Sequence, residues 1–153
     1  MKLNLRKNIF ETNSSSVHAI VINHEGQYIP KLIMNGDTVI AYCHDYSDYG
    51  RGESKFLKTQ QEKLDYLVSW VAAKNQYHYY EDIEDMWEYS VLLNAIRVVM
   101  PEIKSIKIHD TGKAAFDHQN SPIDSDCVVN FYKEDDVVSF IFNDSIMLEC
   151  YFD

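Results

Sequence analysis

Apolar positions along this chain switch from strand-like alternation to helical spacing and back. Residues 3–6 alternate weakly and predict a short strand, and the β-branched run over 17–22 predicts another. The apolar stretches 32–34 and 38–42 flank Asn35-Gly36, a dipeptide suited to the positive φ of a tight hairpin turn. Residues 43–54 mix turn formers with aromatics and read as loop. Thr59-Gln60-Gln61-Glu62 has the form of a capping box, in which hydroxyl and carboxylate bind the free N–H groups of a helix start. Leu64, Leu67, Val68 and Val71 follow at helical spacing, and Tyr66 and Trp70 widen that face. A second helix is expected from about residue 82 to residue 100, carried by Met86, Tyr89, Leu93, Ile96 and Met100 and stopped by Pro101. Residues 103–109 alternate as a strand, whereas 111–126 are irregular. The stretches 127–132, 137–142 and 146–152 read as three short strands. Their links are too short for parallel crossovers, so an antiparallel meander is expected.

Strands, then two helices, then strands predict an α+β fold: a mostly antiparallel sheet with two central helices packed on one face. No repeat, linker or low-complexity tract interrupts the chain, so residues 1–153 are read as a single domain. The 46% hydrophobic and 13% aromatic content excludes a disordered chain. No apolar run approaches the roughly 20 residues that cross a bilayer. The segment from Met1 to Lys7 lacks an apolar core and a cleavage site, so a cytoplasmic protein with no membrane partner is expected. Cys43, Cys127 and Cys150 are widely spaced and odd in number, which suggests buried structural thiols. A net charge of −10 argues against direct polynucleotide binding, since phosphate backbones are held by clustered Lys and Arg. It leaves open a pocket for one phosphate, or docking on a basic protein surface.

The most unusual stretch is Asn8-Ile9-Phe10-Glu11-Thr12-Asn13-Ser14-Ser15-Ser16-Val17-His18, where four hydroxyls and an amide lie between apolar runs. Such a loop aims hydroxyls and backbone N–H groups at an anion, and His18 adds a group that titrates near neutrality. The same residues would also serve simply as a turn, with His18 on a strand face beside Ile20 and Ile22.

This segment resembles the N-terminal signature of a family of uncharacterised proteins from phages and their bacterial hosts, which open with apolar-Phe-Glu-Thr-Asn-Ser-Ser-Ser-x-His. The match runs from Ile9 to His18. Two shorter pieces are also similar. Tyr49-Gly50 with Glu62-Lys63-Leu64-Asp65-Tyr66-Leu67 matches an aromatic-Gly pair and a following helix. Asp117-His118-Gln119 matches an Asp-His-Gln-Ser string, with Asn120 inserted before Ser121; Asp48 stands where the family pattern has Glu. The resemblance implies a phage or prophage setting, hence a host-cell cytoplasm, and a shared site; it supplies no reaction.

One arrangement of these pieces brings His18 and His118 together around a phosphate or an acyl group, sharing acid and base roles, with Asp117 orienting a histidine or binding a metal. Thr12, Asn13, Ser14, Ser15, Ser16, Gln119 and Arg51 would then bind the ligand. Gly50-Arg51-Gly52 lacks the Gly-Lys-Ser/Thr ending of a P-loop, but Arg51 is one of few basic side chains in a loop. A metal site from His18, His109, Asp110, Asp117 and His118 is conceivable, but they show no recognised ligand spacing and no metal is assigned; the cofactor is left open. His24, His44, His78 and His109 read as surface or satisfied core residues. Tyr77-His78-Tyr79-Tyr80-Glu81-Asp82-Ile83-Glu84-Asp85-Met86-Trp87-Glu88-Tyr89 interleaves carboxylates with aromatics. Carboxylates there suit a helix start, and with the rings they also form a surface matched to a basic partner.

Two functions are therefore expected. One is a small phage-type protein binding a phosphate-containing or nucleotide ligand through the Ser-rich loop and histidines, whether or not it also hydrolyses it. The alternative is a non-enzymatic inhibitor or adaptor that binds a host protein through the acidic, aromatic surface.

Overall fold

A computed structural model describes residues 15–20, 28–49, 53–78, 82–114 and 128–152. The strand expected at 3–6 lies outside these residues. The fold is α+β, and three of the four strand pairings among the described residues are antiparallel.

Among the described residues, two three-stranded sheets are formed. In the first, β1 (Ser15–Ile20) and β4 (Lys55–Leu57) flank β6 (Met147–Phe152), both antiparallel to it. In the second, β2 (Met34–Asn35) and β3 (Thr38–Tyr42) form the expected hairpin, and β5 (Ser105–His109) runs parallel to β3. Gly36 takes φ 62° in the hairpin turn, the left-handed region that Asn-Gly turns require. The parallel pair is possible because both helices of the central segment intervene between β3 and β5.

Helix α1 (Gln60–His78) starts at the predicted capping box. The Glu62 carboxylate accepts from the Thr59 N–H at 2.9 Å, and Thr59 Oγ1 accepts from the Glu62 N–H at 3.1 Å. The helix is buried on nearly every side from Leu64 to Ala73 and packs on β3 and on α3. Its first turns are polar and tie the molecule together. Gln60 Nε2 donates to the carbonyls of Ile29 and Phe142, and Gln61 Nε2 donates to that of Ile40. Helix α2 (Trp87–Val99) follows a single 3-10 turn, Ile83–Asp85, and buries Tyr89, Leu92, Ala95 and Ile96.

The C-terminal third departs from the meander expected there. Residues 137–142 belong to a third helix, α3 (Glu134–Phe142), and residues 128–132 form turns. A short, continuous apolar run does not distinguish a buried strand from a buried helix. Here the helix wins. Glu134, Asp135 and Asp136 place three carboxylates at the positive end of its dipole. Val137, Phe140 and Ile141 then recur at helical spacing, with Val138 and Phe142 filling the remaining core contacts. Helix α2 packs chiefly on α3, and no described helix is long and apolar enough to cross a membrane.

Candidate functional site

Of the residues singled out by sequence, Thr12, Asn13, Ser14, Arg51, Asp117, His118 and Gln119 lie outside the described residues. Ser15, Ser16 and His18 lie on β1, which among the described residues is an outer strand of its sheet and pairs with β6. Ser15 stands opposite Phe152, Ser16 opposite Tyr151 and His18 opposite Glu149. Both serines therefore belong to the ladder, earlier in the chain than the strand expected from residue 17.

The thiols of Cys43 and Cys150 are buried and free, and burial pushes each up to about 12. Such thiols are inert, as the sequence suggested; Cys127 lies outside the described residues. His44 is half-buried between two carboxylates, its Nδ1 3.6 Å from Asp48 and its Nε2 3.8 Å from Asp65. Asp65 is fixed by the Tyr42 N–H at 3.0 Å and Gln61 Nε2 at 2.8 Å, and burial raises its pKa above the usual range. The neighbouring Ser69 hydroxyl is fully buried; it donates to the Asp65 carbonyl and accepts from the His44 N–H. That hydroxyl is unreachable as a nucleophile. His109 stacks on Tyr42, with ring centroids 5.3 Å apart. Among the described residues, no group of three or more His, Cys, Asp or Glu side chains is placed to hold a metal ion.

The acidic aromatic stretch is divided by the fold. Met86, Glu88 and Tyr89 turn inward, Asp82, Glu84, Asp85 and Trp87 face solvent, and Glu81 lies outside the described residues. Glu88, only 1% exposed, pairs with Lys74 of α1. The Lys74 ammonium lies 5.3 Å from the Trp70 ring and 5.8 Å from the Trp87 ring, so cation–π attraction adds to the ion pair. Trp70 in turn stacks on Phe131 at 5.4 Å.

Outside this buried joint the aromatic surface continues. Trp87, 42% exposed, stacks on Tyr132, 86% exposed, at 4.9 Å and 26°. Trp87 opens α2, and Tyr132 stands two residues before α3. Their contact draws the starts of both helices together, and with them two sets of exposed carboxylates: Asp82, Glu84 and Asp85 on one arm, Glu134, Asp135 and Asp136 on the other. Rings that large, stacked in water, form an exposed patch on a surface otherwise rich in charge. The sequence flagged Trp87 and its acids. It missed Tyr132, whose stretch had been read as a strand and whose role depends on a contact distant in the chain.

A cleft of about 580 Å³ opens nearby, between the end of α1, the Ile83–Asp85 turn and strands β3 and β5. Its lining includes Thr38, Asn75, Asp82, Glu84, Ser105 and Lys107. The Thr38 and Ser105 hydroxyls meet at 3.1 Å across the parallel strands, and Asn75 Oδ1 is buried without a hydrogen-bond partner.

Comparison with protein-family models, with curated proteins and with solved structures finds no match to this chain.

Proposed function

We propose that the protein is a non-enzymatic adaptor or inhibitor that docks a basic segment of another protein on the Trp87–Tyr132 surface. One observation carries this reading: two large rings stack in solvent at 4.9 Å at the starts of two helices whose first residues and preceding turn carry exposed carboxylates. Arginine fits such a surface doubly, because its guanidinium stacks on aromatic faces and binds carboxylates through paired hydrogen bonds. The net charge of −10 favours fast encounter with a basic partner. The resemblance of residues 9–18 to phage proteins supports a host protein as that partner.

An arginine-rich peptide is a suitable probe, read by tryptophan fluorescence at low and high salt. Binding is expected to be saturable and salt-sensitive, and to weaken about tenfold or more in Trp87→Ala and Tyr132→Ala, as central anchors do. Neutralising Asp85 and Asp135 should weaken it as well, whereas Glu53→Gln with Glu102→Gln, exposed carboxylates elsewhere, should not. Equal losses from both pairs of carboxylates would reduce the effect to bulk charge and reject the docking surface.

A second reading keeps the anion site: a phosphate-containing or nucleotide ligand held by Thr12, Asn13, Ser14, Ser15 and Ser16, with His18 and His118 exchanging protons beside Asp117. It is supported by the length of the motif over residues 9–18. A panel of nucleotides in thermal-shift assays should then stabilise the wild type and not Asn13→Ala or His18→Ala. A flat panel rejects it.

A further inference from the structure

The two exposed rings are not equivalent. Trp87 is held from several directions: the Lys74 ammonium lies 5.8 Å from its ring, Phe131 meets it edge-on at 6.2 Å and 84°, and Tyr132 stacks on it. Phe131 is buried and stacked on Trp70, so Trp87 is anchored to the core. Tyr132 is 86% exposed against 42% for Trp87, and has Trp87 as its backing. Its main chain is also fixed. The Tyr132 N–H donates to Asn130 Oδ1 at 3.0 Å, and the Lys133 N–H donates to the Asn130 carbonyl at 3.0 Å, which closes a turn around the ring's attachment. A phenol face is thus presented to solvent on a firm support. A guest that meets it orders little of the protein in doing so.

The surroundings of that ring separate two kinds of cation. An ammonium is compact and strongly hydrated, and the molecule shows what holds one against an indole. Lys74 lies beside Trp70 and Trp87 because it is paired with Glu88, which is only 1% exposed. The carboxylates that follow Tyr132, on Glu134, Asp135 and Asp136, are instead exposed, so an ammonium there keeps its water and gains little. A guanidinium is planar and more weakly hydrated. It stacks flat on a phenol and still turns its N–H edge to a solvated carboxylate. Those three acids outnumber Lys133, the exposed cation next to Tyr132 in the chain, so positive charge is favoured. We infer that Tyr132 sets the specificity of this surface: its open face stacks an arginine side chain of the partner and discriminates against lysine, with Trp87 as the positioning residue behind it. This specificity rests on the docking reading above.

End-blocked hexamers of arginine, of lysine and of citrulline test it, titrated into the full chain by calorimetry. The arginine and lysine hexamers carry equal charge, so the net charge of −10 acts on both alike. Citrulline keeps the planar shape and removes the charge. Arginine is expected to bind about fivefold or more tighter than lysine, and citrulline to bind weakest of the three. Tyr132→Leu, at an exposed position, should bring the arginine hexamer down to the level of the lysine hexamer. Tyr132→Phe keeps the π face and should retain the preference. Trp87→Leu should shrink the arginine-to-lysine ratio as well, which a loss of stability would not do, since it would weaken both hexamers alike. Equal affinity for arginine and lysine, or a preference that survives Tyr132→Leu, overturns the specificity and leaves the docking surface standing. Citrulline binding as tight as arginine overturns it too, because planarity without charge would then suffice. Failure of both cationic hexamers to bind overturns the docking reading and this specificity with it.

Discussion

Lys63 is fully buried in α1, yet its ammonium has partners: the carbonyls of Asn143 at 2.8 Å and Ile146 at 3.2 Å. The Phe140 ring lies 6.0 Å away. Loss of hydration outweighs the Asp144 charge that favours protonation, and the pKa falls from 10.5 to about 8. Over that window the unfolded chain holds a proton that the folded chain has released, so stability rises with pH. Cys43 and Cys150 act in the opposite sense. Their pKa values rise from 9.0 to about 12, so above pH 9 the unfolded chain loses protons first and stability falls. Between pH 8 and 9 the lysine alone adds about 1 kcal/mol and the two thiols take back about 0.7, so denaturant melts should show a net gain of a few tenths of a kcal/mol, followed by a decline. Lys63→Met should abolish the rise and keep the decline. A wild-type profile that falls from pH 8 to 9 as steeply as that of Lys63→Met would show that the ammonium is better solvated than its burial implies.

At the scale of elements, side chains close what strands leave open. Among the described residues strand β5 is an outer strand of its sheet, and Tyr89 of α2 pairs with its backbone on the side away from β3. The Tyr89 hydroxyl donates to the Ile106 carbonyl at 3.1 Å and accepts from the Ile106 N–H at 3.2 Å. Tyr89→Phe preserves the ring packing and leaves both backbone groups unpaired in a buried setting. It should cost about 1–3 kcal/mol in unfolding free energy, with faster amide exchange at Ile106 as its local sign. Local signals wrote several elements in advance. The Asn35-Gly36 turn and the Thr59–Glu62 box formed where expected, because each satisfies its backbone within a few residues. Helix α3 departs from the strand that its continuous apolar run predicts, and the informative residues are the three carboxylates at the start of the helix, which suit a turn equally well. The parallel pairing of β5 with β3 left no local mark at all.

At the scale of the whole molecule, Lys74 and Glu88 join α1 to α2 beneath the exposed rings. Removing one member of such a pair strands the other. Glu88→Ala should therefore destabilise by about 3 kcal/mol or more, while Asp85→Ala, exposed on the same turn, should stay within about 0.5 kcal/mol. Equal costs would mean that the pair is solvated in practice. The two changes also separate functions that the sequence presents as one acidic tract: Glu88 holds the fold, and Asp85 is available to a partner.

From its order of residues alone the chain determined its α+β class, its hairpin and the start of its central helix, since these follow from periodicity and from hydrogen bonds between near neighbours. It also marked Trp87 and its acids as a surface in waiting. Only the tertiary structure decided which of those acids are buried and that Tyr132 stacks on Trp87. Each of these depends on which helix packs against which, and packing is a property of distant segments that no local pattern encodes.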